Sequence, residues 1–65
     1  MIELTRLHNQ KIVVNGDLIE FVEATPDTLV STTSGKKLLV KESVDEVVEK
    51  YIQYKRRVVG LKKKR

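Results

Sequence analysis

The stretch Glu42-Ser43-Val44-Asp45-Glu46-Val47-Val48-Glu49-Lys50-Tyr51-Ile52 decides the fold. At Ser43 the sequence stops alternating and begins to repeat every three to four residues. Ser43-Val44-Asp45-Glu46 has the spacing of a capping box. The Ser43 hydroxyl can accept the N–H of Glu46, and the Glu46 carboxylate can reach back to the N–H of Ser43. Acids in the first turns also suit the positive end of a helix dipole. Apolar residues then fall at Val44, Val47, Val48, Tyr51, Ile52, Tyr54, Val58 and Val59, a single amphipathic stripe. Gly60 suits a helix C-terminus. The pattern predicts a helix over 44–59, about 24 Å long at 1.5 Å per residue. Such a helix outreaches a small sheet, so its last turns are expected to carry Lys55, Arg56 and Arg57 beyond the packed part.

Upstream of Ser43 the sequence reads as β-structure. Residues 2–7 alternate apolar and polar, as a half-buried strand does. His8-Asn9-Gln10 is a turn, and Lys11 to Val14 a second, β-branched strand. Asn15-Gly16-Asp17 is the strongest turn signal, because Asn and Gly tolerate positive φ. Leu18 to Ala24 is a third strand whose apolar positions break period two. That break is explained by a bulge near Glu20 or by burial on both faces. Thr25-Pro26-Asp27-Thr28 is a tight turn, Leu29 to Thr33 a fourth strand, Ser34-Gly35 a hairpin loop and Lys37 to Lys41 a fifth strand. Short turns between successive strands predict an antiparallel meander. The expected fold is therefore α+β: a small antiparallel sheet of four to five strands followed by one C-terminal amphipathic helix. One small domain spans 1–59, with strands within 2–42 and the helix at 44–59, and 60–65 form a basic tail.

The chain has 65 residues, of which 40% are hydrophobic and 34% charged. A domain this small buries only about 60% of the surface its unfolded chain exposes. With no cysteine and a single His8, neither disulfides nor a Cys/His zinc site can reinforce it. Oligomerisation is the remaining reinforcement, so a homo-oligomer is expected. No apolar run approaches the ~20 residues of a membrane span, and Met1-Ile2-Glu3-Leu4-Thr5-Arg6 lacks the zones of a signal peptide.

Charge is unevenly distributed. Residues 1–54 hold nine acids against six bases, a net −3, whereas residues 55–65 hold seven bases and no acid, a net +7. The seven are Lys55, Arg56, Arg57, Lys62, Lys63, Lys64 and Arg65. An acidic body with a basic C-terminal arm suits anionic lipid, nucleic acid or an acidic protein surface. Three aromatics are few for stacking on single-stranded bases.

No paired titratable groups with the spacing of acid–base catalysis stand out, and Ser31 to Ser34 are accompanied by no base. Asn15-Gly16-Asp17 and Ser34-Gly35-Lys36 are fragments of phosphate loops without a complete Gly-rich motif. The expectation is a protein with no catalytic residues, no cofactor and no metal.

Several segments together resemble one family: Met1-Ile2-Glu3-Leu4-Thr5-Arg6-Leu7, Asn15-Gly16-Asp17-Leu18-Ile19-Glu20, Glu23-Ala24-Thr25-Pro26-Asp27-Thr28, Ser34-Gly35-Lys36-Lys37 and Val40-Lys41-Glu42-Ser43-Val44-Asp45-Glu46-Val47. The chain resembles, over residues 1 to about 58, the small flagellar protein family FlbD, also called swarming motility protein SwrD. The resemblance implies a non-enzymatic cytoplasmic protein of flagellar motility, associated with motor power through stator units or their engagement. It implies a motor or stator-associated protein partner, with a peripheral position at the flagellar base. The basic arm is the first candidate contact, for such a protein or for an anionic membrane, and Glu20 and Glu23 are the second. The competing reading is a small RNA-binding post-transcriptional regulator, since a short antiparallel sheet followed by a helix also describes CsrA-like proteins. Against it stand the acidic body and the lack of an Arg-rich strand edge.

Overall fold

A computed structural model describes residues 1–24 and 26–63, the last four by backbone alone. Strand β1 (Ile2–Thr5) pairs antiparallel with β2 (Lys11–Val14), Ile2 opposite Val14 and Leu4 opposite Ile12. Its alternation is the expected one, with Ile2 and Leu4 buried and Glu3 exposed. The turn between them closes with the Arg6 N–H donating to the Gln10 carbonyl at 2.8 Å, and Asn9 takes a φ of 72°. Asparagine is among the few residues that adopt that conformation readily.

The second sheet is a meander of β3 (Ile19–Ala24), β4 (Thr28–Thr32) and β5 (Lys37–Val40), in that spatial order. In β3 the register jumps between Ile19, opposite Thr32, and Phe21, opposite Ser31. Glu20 is therefore the extra residue of a bulge, and this, not burial on both faces, breaks the period. Pro26 and Asp27 form the bend into β4; Thr25, the first residue of the expected turn, lies outside the described residues. The β4–β5 loop is tied by the Thr32 N–H to the Lys36 carbonyl at 2.9 Å, with Gly35 at a φ of 90°, which glycine adopts without strain.

The five strands do not form one sheet, as expected from sequence, but two, of two and three strands. Two causes are visible. Asn15-Gly16-Asp17 is not a positive-φ hairpin turn. Asn15 stays extended (φ −73°) and caps a single 3-10 turn, Gly16–Leu18, which carries the chain from one sheet to the other. Gly16 is required by contact rather than by φ: a Cβ there would lie 2.9 Å from Cδ1 of Tyr51. The second cause lies where β1 and β5 meet, joined by one bridge, Arg6 with Val40, and by the Lys41 N–H donating to the Thr5 carbonyl at 2.8 Å. Extending that register would pair β1 with residues 41–44, where the chain turns into the helix, and β5 with the turn at 7–9. Both strands run out of partner at the same point.

Helix α1 (Val44–Lys63) begins with the expected capping box: the Glu46 N–H donates to Ser43 Oγ at 3.1 Å, and the Ser43 N–H to Glu46 Oε1 at 2.8 Å. The helix passes through Gly60 instead of ending at residue 59. Glycine permits a left-handed cap but does not impose one, and within a helix it costs only about 1 kcal/mol relative to alanine. At 20 residues, α1 is about 30 Å long. The core gathers Ile2, Leu4 and Val14 from the hairpin, Val30, Leu38 and Val40 from the meander, and Val47 from α1.

Candidate contact site

Of the helix stripe, Val47 is buried and Val44, Tyr51, Tyr54 and Val58 are half-buried against the body. Val48, Ile52 and Val59 are exposed. With about 100° between successive residues, these three form a strip along one flank of the helix. The apolar face of α1 is thus wider than the body that covers it.

The same geometry separates the bases at 55–57. Lys55 turns back to the body, its Nζ 3.3 Å from Asp17 Oδ1, and the Tyr51 hydroxyl donates to that same oxygen at 3.2 Å. The Lys55 hydrogen bond holds the Asp17 carboxyl below the ordinary carboxylate range; burial opposes this and Tyr51 assists it. Lys55 is raised in turn, first by its hydrogen bond to Asp17. Its Nζ also lies 5.9 Å from the Tyr51 ring centre, over the ring. Lys55 therefore belongs to the seam between helix and body and not to a free arm. Arg56 is exposed on the far side of the helix. Arg57, on the opposite flank from the apolar strip, borders a groove with Met1, Glu3, Glu49 and Tyr54. Lys62 and Lys63 continue the helix backbone; Lys64 and Arg65 lie outside the described residues.

Glu20 and Glu23 are both exposed on β3, the edge strand of the meander. The bulge separates them. Glu20 joins Val22, Val44, Val48 and Tyr51 along a groove between β3 and α1, while Glu23 stands in a row with Leu29 and Leu39 across the sheet. Neither is near the basic helix residues in a salt bridge; among the described residues the ion pair within 4.0 Å is Lys55 with Asp17.

Sequence reasoning missed two groups. Glu42 accepts from the Thr5 N–H at 2.9 Å and from the Thr5 hydroxyl at 2.8 Å. Its side chain replaces the next rung of the ladder that β1 and β5 fail to extend. Partial burial raises its carboxyl, but the Thr5 hydrogen bonds outweigh this and leave it below the ordinary value. Asp17 was legible only as a turn residue, because its partners lie 34 and 38 positions away. Among the described residues no group of three His, Cys, Asp or Glu is placed to hold a metal ion. No helix among them is long and apolar enough to cross a membrane.

These features define a class: a small α+β protein with two antiparallel sheets and one long helix whose apolar face is only partly covered. The chain belongs to the FlbD family of flagellar and swarming motility proteins, whose model matches residues 1–59, through all five strands and most of α1. No curated protein and no solved structure matches it.

Proposed function

We propose that this chain is a non-enzymatic accessory protein of flagellar motility that supports motor power by contacting a stator-associated protein at the cytoplasmic membrane face. Helix α1 is the contact element. The observation that carries the reading is the uncovered strip Val48, Ile52 and Val59, with Arg56 beside it on a helix that runs on into the basic end. Apolar anchors with flanking cations suit a protein groove of acidic character, or such a groove next to anionic lipid. Lys55 belongs to the seam between helix and body in this reading, held by Asp17, so Arg56, Arg57 and the bases at 62–65 are the cations assigned to the partner.

The test is a pair of variants in motile cells: Ile52→Ser with Arg56→Glu, and deletion of 61–65. Swarm expansion and swimming speed under viscous load are followed at matched protein levels. Both variants should lower motility and lose a crosslinked motor-associated partner, while the urea midpoint of the body stays near that of the wild type. The charge-dependent part should fade by ~0.5 M salt, where the screening length is only a few Å. Full motility in both variants overturns the assignment of α1. Sequence-selective RNA binding that survives the deletion would replace it with the regulator reading.

A further inference from the structure

The three-stranded sheet has two faces, and α1 with the hairpin covers one of them. On that face lie Val22, Val30, Leu38 and Val40, packed in or against the core. The other face consists of two cross-strand rows. One runs Glu23–Leu29–Leu39 and the next Phe21–Ser31–Lys37. Phe21 and Leu39 are 48% and 47% exposed, large apolar side chains at diagonally opposite corners. Glu23 and Lys37 hold the other two corners, and neither has an opposite charge within 4.0 Å among the described residues. Between Phe21 and Lys37 sits Ser31, 3% exposed, whose Oγ has no hydrogen-bond partner. A buried hydroxyl without a partner is an exception among folded proteins.

We propose that this outer face is the surface on which two copies of the chain pair, face to face with their strands crossed. The corner pattern selects the occupant. A two-fold axis lying in the interface along the Phe21–Leu39 diagonal brings Phe21 against Phe21 and Leu39 against Leu39. The same rotation carries Glu23 of each copy to the Lys37 corner of the other, so both charges are neutralised twice by one operation. With strands about 4.8 Å apart and same-face residues about 6.8 Å apart along a strand, Glu23 of the second copy lands between Ser31 and Lys37. Its carboxylate can then accept from the Ser31 hydroxyl as well as from the lysine. An axis along the strands would instead set Glu23 against Leu39, and one across them would set it against Phe21. Only the diagonal axis pairs the charges, and it gives the crossed sheet packing found in orthogonal sandwiches. The interface is isologous, as two-fold dimers require. It leaves α1, on the opposite side of the sheet, free for the contact proposed above, and it does not depend on that contact.

The experiment is sedimentation equilibrium on the full chain at low salt, from micromolar to millimolar concentration. The wild type should dimerise. Glu23→Lys and Lys37→Glu should each weaken the dimer at least tenfold, since each sets like charges together at both corners. An equimolar mixture of the two single variants should restore it, because the heterodimer again places lysine against glutamate at every corner. Leu39→Asp, on the two-fold axis, should abolish dimerisation without rescue by either partner. A wild type that stays monomeric throughout overturns the proposal. So do single charge variants that dimerise like the wild type, a Leu39→Asp variant that still dimerises, or folded single variants that fail to associate when mixed.

Discussion

The start and the far half of α1 are joined to the β body by different chemistry. At the start, Ser43 and Glu46 close a capping box, Glu42 takes two hydrogen bonds from Thr5, and Val47 is 2% exposed in the core. Backbone donors and full burial fix that corner. Farther along, contact passes through side chains at the surface: the Tyr51 hydroxyl and Lys55 on one oxygen of Asp17, with both partners of the ion pair 46% exposed. Exposed ion pairs contribute little to stability because water and salt screen them. The first region therefore holds the fold, and the second orients a helix that remains available for binding.

Four changes probe this contrast. Val47→Ala should have the largest effect. It removes two methyl-sized groups from the point where the helix enters the core, and should destabilise by about 2–3 kcal/mol, read as a lower urea midpoint with an unchanged slope.

Glu42→Ala comes next. It strips the acceptor from the Thr5 N–H and hydroxyl, at ~1–2 kcal/mol. The sign of its pH dependence follows from the lowered carboxyl. Its contribution is complete above the ordinary glutamate value of 4.5 and is lost as pH falls through the lower folded value. Unfolding curves of wild type and Glu42→Ala should therefore converge in acid and diverge at neutral pH; a constant gap would show that the charge is not what Thr5 binds.

Ser43→Ala should cost ~1 kcal/mol, a typical capping loss, measured as a drop in thermal midpoint. Asp17→Asn is the smallest. Its midpoint should match the wild type, while the Lys55 ammonium, followed by NMR, titrates closer to its ordinary value of 10.5. A midpoint shift as large as that of Ser43→Ala would mean that the exposed seam, too, holds the fold.

Much of this was legible in the sequence because its causes are local. The helix start, the strand positions and the turn at 8–10 depend on residues within a few positions of one another, whereas at Glu20 the sequence showed only a broken period and the register of β3 against β4 decided for a bulge. Capping geometry, side-chain alternation and positive-φ tolerance act over that range whatever the rest of the chain does. The FlbD resemblance was legible for the same reason, resting on contiguous strings such as Glu23-Ala24-Thr25-Pro26-Asp27-Thr28.

What the tertiary structure alone decided are the relations between distant residues. Asn15-Gly16 carries the signal of a hairpin turn, yet Tyr51, 35 positions on, needs the space above Gly16, and the chain makes a 3-10 turn there instead. Lys55, Arg56 and Arg57 are one basic run in sequence, but successive helical residues diverge by about 100°, so one is bound to Asp17, one faces outward and one lies beside Glu49. The split into two sheets was likewise invisible: Arg6 and Val40 each fall in a segment that reads as a strand, and only their meeting shows that the ladder ends after one bridge and that Glu42 closes it through Thr5. Local sequence specifies which conformation a segment prefers. Which segments meet, in what register and on which face, is set by burying one small common core, and that information is spread over the whole chain.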